Sequence, residues 1–162
     1  MEHSDDDRAL VAAQLGRPPR GRWTVARRCH LGLPMVIENH PRLKDGTPFP
    51  TLYWLTCPLL VARAGALEAS GHMARITAAL DASTELRTRL GAALARYRAR
   101  RDAHEVIDDR GAPPGGGRDR VKCLHAHIAH ELADPPNPIG ARALARTGWP
   151  DCVAPCVKAP GP

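Results

Sequence analysis

The pattern of apolar residues changes at Pro58, and this change limits the chain to a mixed fold. Before Pro58, β-branched and aromatic residues form short runs separated by Gly and Pro, which favours strands over residues 23–27, 35–38 and 51–56. After Pro58, leucines recur every three or four residues, which is typical of helices. The sequence therefore predicts an α+β fold in which a small three-stranded antiparallel sheet is packed by five or six helices.

Capping and turn residues mark where these helices begin and end. Ser4 with Asp7 has the spacing of a capping box, and a left-handed Gly is a common helix terminator. The expected helices run from Ser4 to Gly16, from Pro58 to Gly71, from Ser83 onward and from Asn137 onward. The apolar side of the helix that begins at Ser83 consists of Leu86, Leu90, Leu94 and Tyr97.

The length of 162 residues suits one domain with a substantial core. We expect a single domain over 1–162, with an N-terminal helix and Pro-rich linker over 1–20, a flexible Gly/Pro loop over 108–119 and a disordered tail over 157–162. No apolar run approaches the roughly 20 residues that span a bilayer. The acidic start is unlike the positive beginning of a signal peptide, so we expect a cytoplasmic protein.

The net charge of +6 raises the question of nucleic-acid binding. Only three of the 23 basic residues are lysine, and the accompanying excess of Ala, Gly and Pro is typical of a GC-rich genome. The long helix carries arginines at all angles around its axis, which favours a solvated surface over one binding stripe; they are Arg87, Arg96, Arg98, Arg100 and Arg101. We therefore expect no salt-sensitive nucleic-acid binding, and nucleic-acid binding stays an alternative function.

Residues 122–130 place three imidazoles and a thiol close together. On an α-helix, Cys123, His127 and His130 would share one narrow stripe because they are separated by four and three residues. Leu124 and Ile128 would lie on a different, apolar face. Such segregation of soft donors is what a metal site or a buried polar cluster requires.

Four cysteines stand at the ends of predicted elements, where they can converge at one end of a small fold. Five cysteines are an odd number, and a reducing compartment disfavours disulfides, so metal binding or burial is the expected use. A cysteine at a helix N-terminus, such as Cys123, is favoured as a ligating or reactive sulfur because the helix dipole stabilises a thiolate. The sequence thus predicts zinc or an iron–sulfur cluster in a structural or redox role, with candidate ligands Cys29, Cys57, Cys123, His127, His130 and Cys156.

Two other interpretations of these residues stay open. The chain has no Cys-x-x-Cys pair, so buried inert thiols and helix histidines explain the same residues without a metal. An enzyme using Cys123 with His127 is the second, although no orienting carboxylate or oxyanion donor can be assigned. His125 would lie about 200° from Cys123 on a helix, so we expect it only to bond a carbonyl or water.

A glycine-rich segment before the Cys/His helix suggests an anion site. Three glycines at 115–117 precede Arg118, Arg120 and Lys122, which combines flexible backbone and cations ahead of a helix N-terminus. The spacing is neither that of a P-loop nor that of a dinucleotide-binding turn. An ordinary basic surface loop explains this segment, and the alternative is a site for a phosphate-bearing small molecule.

Several motifs together resemble one known family. They are Arg28-Cys29-x-x-Gly32-x-Pro34, the Pro-Phe-Pro-Thr-Leu-Tyr-Trp-Leu-Thr-Cys-Pro string at 48–58, the Lys-Cys-Leu-His-Ala-His-Ile-Ala-His string at 122–130, and Asn137-Pro138-x-Gly140. In these motifs the chain resembles the bacterial domain-of-unknown-function family numbered 501 over nearly its whole length. The resemblance implies a single cytoplasmic domain and no assigned activity.

Overall fold

The structure is a computed structural model that describes residues 4–108 and 121–158. Its elements are α1 (Asp5–Leu15), β1 (Gly21–Arg28), β2 (Pro34–Leu43), β3 (Tyr53–Leu55), α2 (Pro58–Ala69), α3 (His72–Ala82), α4 (Thr84–His104), α5 (Leu124–Ala133) and α6 (Pro138–Ala145). The strands pair in the order β1-β2-β3, and both pairs are antiparallel. The predicted α+β fold is confirmed. No helix in the described ranges is long and apolar enough to cross a membrane.

The central strand β2 is covered on both faces. Neighbouring side chains on a strand point to opposite sides, so Val36 and Ile37 enter different cores. Val36 joins Leu55 and the apolar sides of α2 to α6 in the main core, whereas Ile37 packs with Trp23 and with Val11 of α1. The sheet therefore separates α1 from the other five described helices.

The helix boundaries follow the predicted capping residues. Ser4 and Asp7 form a reciprocal capping box, and α1 ends at Gly16, whose φ of 72° suits glycine. The hydroxyl of Ser83 accepts from the Leu86 amide at 3.1 Å at the start of α4. Between α2 and α3 the chain turns at Gly71, which also has positive φ.

The third strand is shorter than the sequence predicts. Regular pairing with β2 covers Tyr53–Leu55, although residues 51–56 have strand character. Single backbone hydrogen bonds flank it, from Asn39 to the Leu52 carbonyl and from Thr56 to the Met35 carbonyl. Pro50 has no amide hydrogen, and the Leu52 amide donates to the Tyr97 hydroxyl of α4 at 2.6 Å instead of to a strand. A long-range side-chain contact thus ends the strand before its local propensity would.

The prediction of a solvated arginine surface on α4 is wrong for Arg101 and incomplete for Arg96 and Arg100, which are accessible but also bond other elements. Arg101 is 3% exposed. Arg96 donates to the carbonyl of Pro136 at 2.6 Å, and Arg100 pairs with the buried carboxylate of Glu38 on β2 at 3.0 Å. Long guanidinium side chains here fasten α4 to β2 and to the turn before α6.

Helices α5 and α6 cross closely at Gly140. A β-carbon added at this position would lie 2.1 Å from the carbonyl oxygen of His127 and 2.7 Å from the Cβ of Glu131. Both distances are well below van der Waals contact, so the crossing requires a residue with no side chain.

We expect Gly140→Ala to lower the free energy of unfolding by about 1–3 kcal/mol or more, because overpacking forces the two helices apart. Gly65→Ala is the matched control, since Gly65 lies within α2 and a β-carbon there would meet nothing within 4 Å. The free energy of unfolding of this control should rise by up to about 1 kcal/mol, because alanine has a higher helix propensity than glycine. Urea unfolding of both variants measures this, and an unchanged midpoint for Gly140→Ala would show that the crossing is not tight.

Candidate metal centre

Three potential metal ligands meet where the end of α2 approaches the start of α5. The ligand atoms of Glu68, Cys123 and His125 lie within 4.8 Å of one another. All three residues are partly buried. This is the one such group of three or more His, Cys, Asp or Glu residues in the described part of the chain.

The group is assembled around the N-cap of α5. Cys123 is the N-cap residue, with extended backbone (φ −150°, ψ 115°), and its side chain makes no capping hydrogen bond. The Glu68 carboxylate takes that role from α2, because its Oε1 accepts from the Leu124 amide at 2.7 Å. An acidic group is stabilised at this position by the free amides and the positive end of the helix dipole.

Both ring nitrogens of His125 face oxygen acceptors. Nε2 lies 3.0 Å from the carbonyl oxygen of Val61, and Nδ1 lies 3.0 Å from Oε1 of Glu68. A carbonyl can only accept, so Nε2 carries a proton, and the close approach of Nδ1 to a carboxylate then requires a second proton or a cation. The hydrogen bond to Cys123, followed by that to Glu68 and its charge, raises the pKa of His125 to about 9, although burial acts in the opposite direction.

The predicted stripe of Cys123, His127 and His130 is wrong for the cysteine. Its extended backbone places Cys123 outside the helix, so the angular spacing that aligned it with the two histidines does not apply. The helix, which the sequence predicts from Val121 to Ala133, is confirmed from Leu124 to Ala133, and the three residues before Leu124 are not helical. The expectation that His125 would only bond a carbonyl is also incomplete, because Nδ1 faces Glu68.

His127 and His130 are buried at a separate polar cluster with Asn137. The amide nitrogen of Asn137 donates to Nδ1 of both histidines, at 3.1 Å each. The amide oxygen accepts from the backbone of Ile139 and Gly140 at the start of α6. The His130 ring also stacks on Tyr53 and meets the edge of Tyr97. These contacts describe a packed polar junction between α5 and α6.

The remaining predicted ligands do not join the group of Glu68, Cys123 and His125. Cys57 is buried at the N-cap of α2, and burial raises its pKa. Cys29 follows β1 and is half-buried, whereas Cys156 is exposed in the C-terminal segment. Among the described residues, no group of three ligand atoms within 4.8 Å includes any of these cysteines. Their role as ligands stays a prediction.

The predicted anion site falls mostly outside the described residues. Arg118 and Arg120 lie in the stretch between residues 108 and 121, and only Lys122, which is exposed, is described. A phosphate-bearing ligand at this segment stays a prediction.

Sequence reasoning missed Glu68 entirely and set His125 aside. Nothing near Glu68 in the sequence marks it, because its partners are more than 50 residues further along the chain. His125 could have been found by treating Cys123 as an N-cap, since an extended residue and the second helical residue can face the same neighbour.

Comparison with known protein families assigns the chain to one of them. The model of the family described as "Protein of unknown function (DUF501)" matches residues 25–145. The chain belongs to the DUF501 family. The DUF501 match includes Glu68, Cys123, His125 and the Asn137 cluster, and it leaves Cys152 and Cys156 outside. No curated protein and no solved structure matches the chain significantly.

Acid should destabilise the protein through the buried His130. Burial lowers the pKa of His130 from 6.5 to about 4, despite the opposing charge of Asp134. The unfolded chain therefore binds more protons than the folded chain in this interval, and we expect the free energy of unfolding to fall as the pH drops from 6.5 towards 4.

Urea unfolding at several pH values measures this dependence. Below pH 6.5, His130→Gln should reduce the dependence of the free energy of unfolding on pH. His30→Gln, which changes an exposed histidine, should leave this dependence nearly unchanged. Equal slopes in wild type and His130→Gln would contradict the assignment.

Proposed function

We propose that this protein binds zinc through Glu68, Cys123 and His125, and that the ion ties the start of α5 to the end of α2. The observation that carries the proposal is the 3.0 Å approach of His125 Nδ1 to the Glu68 carboxylate while Nε2 is held by Val61. A zinc ion between the imidazole and the carboxylate would satisfy both as ligands without an extra proton on the ring.

The donor set favours zinc over an iron–sulfur cluster. Thiolate, imidazole and carboxylate are all common zinc ligands, and in a structural site a fourth ligand would complete the tetrahedron around these three. Iron–sulfur clusters are held mainly by several cysteine thiolates. Cys123 is the single cysteine in this group.

Hydrogen bonds around the group orient the proposed ligands. A histidine ligand usually donates a hydrogen bond from the N–H of its other ring nitrogen to a carbonyl or carboxylate, and this bond fixes the tautomer and the ring plane. Val61 provides that carbonyl from α2. The Leu124 amide holds the Glu68 carboxylate in the same way from α5. Both ligand side chains are therefore positioned before any ion is added.

The proposed role is structural. Zinc has no redox chemistry, and the proposed ligands come from the end of α2 and from the N-cap and first turn of α5, which are separated by more than 50 residues in the sequence. Binding to a site that exists only in the folded chain adds its free energy to folding. The ion would thus hold α5, and with it the histidine and asparagine cluster, against α2.

Metal analysis of the purified protein tests this assignment. We expect wild type to bind one zinc ion per chain, and Cys123→Ser or Glu68→Gln to weaken zinc affinity by about 10-fold or more. Glu68→Gln keeps an oxygen for the Leu124 amide, so its fold should persist. Cys156→Ser is the matched control, because Cys156 is exposed and outside the group.

Three results would contradict the proposal. One is loss of zinc in Cys156→Ser as well as in Cys123→Ser, which would restore the predicted set of dispersed cysteines. Another is iron with the absorption spectrum of a cluster. The third is a wild-type protein that does not bind added zinc while Cys123 reacts readily with iodoacetamide, which would favour the Cys/His enzyme.

Zinc should also stabilise the fold. When the free zinc concentration is 100-fold above the dissociation constant, we expect the free energy of unfolding to be about 2.7 kcal/mol higher than in protein from which a chelator has removed the zinc. Thermal or urea unfolding with and without a chelator measures this difference. Glu68→Gln should show a much smaller one, and an equal response in both proteins would place the zinc elsewhere.

A further inference from the structure

A second site candidate lies between α3 and α6, away from the proposed zinc ligands. A cleft of about 510 Å³ opens there. Each helix contributes three residues spaced as i, i+3 and i+4, so one face of each helix lines the cleft. The lining residues are His72, Arg75, Ile76, Arg142, Ala145 and Arg146.

The cleft concentrates positive charge that the fold does not neutralise. The side chains of Arg75, Arg142 and Arg146 make no ion pair or hydrogen bond with any described residue, and all three are exposed. The arginines of α4 differ, since Arg96 and Arg100 are used to fasten helices and strands. Because all three arginines line one cleft, an anion there would meet three positive charges without a competing carboxylate among the lining residues.

His72 is a buried residue that lines the same cleft. It is only 4% exposed, and neither of its ring nitrogens has a hydrogen-bond partner. Burial, and then the charges of Arg146 and Arg75, lower its pKa. Both ring nitrogens are inaccessible to solvent, so an anion held by the arginines would lie beside the ring without a direct hydrogen bond to it.

We propose that the cleft between α3 and α6 binds a small organic phosphate, with the phosphate held by Arg75, Arg142 and Arg146 beside the His72 ring. Guanidinium groups match phosphate oxygens in charge and in the geometry of paired hydrogen bonds. The volume of about 510 Å³ lies in the usual range of small-molecule sites. Ile76 and Ala145 line the same cleft and provide apolar contact for the organic part.

Isothermal titration calorimetry with phenyl phosphate and with inorganic phosphate tests this site. Both probes should bind one per chain, and phenyl phosphate should bind more tightly because Ile76 and Ala145 contact its ring. Arg142→Ala and Arg146→Ala should each weaken binding by about 10-fold, the cost of one charged hydrogen bond. Arg89→Ala is the matched control: Arg89 is exposed on α4, away from the cleft, and its loss changes the net charge equally.

Nuclear magnetic resonance of the histidine rings gives a second readout that needs no variant. Adding phenyl phosphate should shift the ring signals of His72 and leave those of the exposed His30 unchanged. Absence of binding at millimolar probe, equal weakening in Arg89→Ala, inorganic phosphate binding as tightly as phenyl phosphate, or unmoved His72 signals would each overturn the proposal. None of these outcomes bears on zinc binding, which uses different residues.

Discussion

The junction of α5 and α6 depends on the side chain of Asn137. Its amide nitrogen donates one hydrogen to a ring nitrogen of His127 and the other to a ring nitrogen of His130. Its amide oxygen accepts two hydrogen bonds from the first backbone amides of α6. This is the full hydrogen-bonding capacity of an asparagine. An aspartate could not donate to the two imidazoles, and a serine could not span the same four partners. The cap of one helix is therefore also the partner of two buried side chains on another.

That junction sets the position of α5, which contacts the sheet and the helices α2, α4 and α6. Gly140 allows α6 to approach the His127 carbonyl, and Tyr53 of β3 stacks on the His130 ring. At the opposite end of α5, Glu68 holds the Leu124 amide. A helix of ten residues is too short to be stable alone, so polar partners at both ends and burial between them determine its place.

The arginines show how little composition says about charge. On α4, Arg101 is buried and Arg100 pairs with Glu38, so these residues belong to the framework of the fold. Arg142 and Arg146 have the same chemistry but line an open cleft without an acidic neighbour in the described chain. Local surroundings, and not the net charge of +6, separate a structural guanidinium from one available to a ligand.

The fold class, most helix boundaries and the family follow from local features of the amino-acid chain. Capping residues such as Ser4, Ser83 and Asn137 act on their own helix, and apolar spacing reports which side is buried, so both can be read locally. The end of β3 and the role of Arg101 could not be read in this way, because Tyr97 and the packing of α4 decide them from a distance.

The candidate site divides along the same line. Cys123 and the nearby histidines were visible as a cluster, since they are neighbours in sequence. Three features could be known only from the folded chain. Cys123 is an N-cap, and His125 lies beside it together with Glu68. His127 and His130 instead contact Asn137. The physical reason is that helical angles apply only to residues with helical backbone, and a carboxylate more than 50 residues away fixes where that backbone begins.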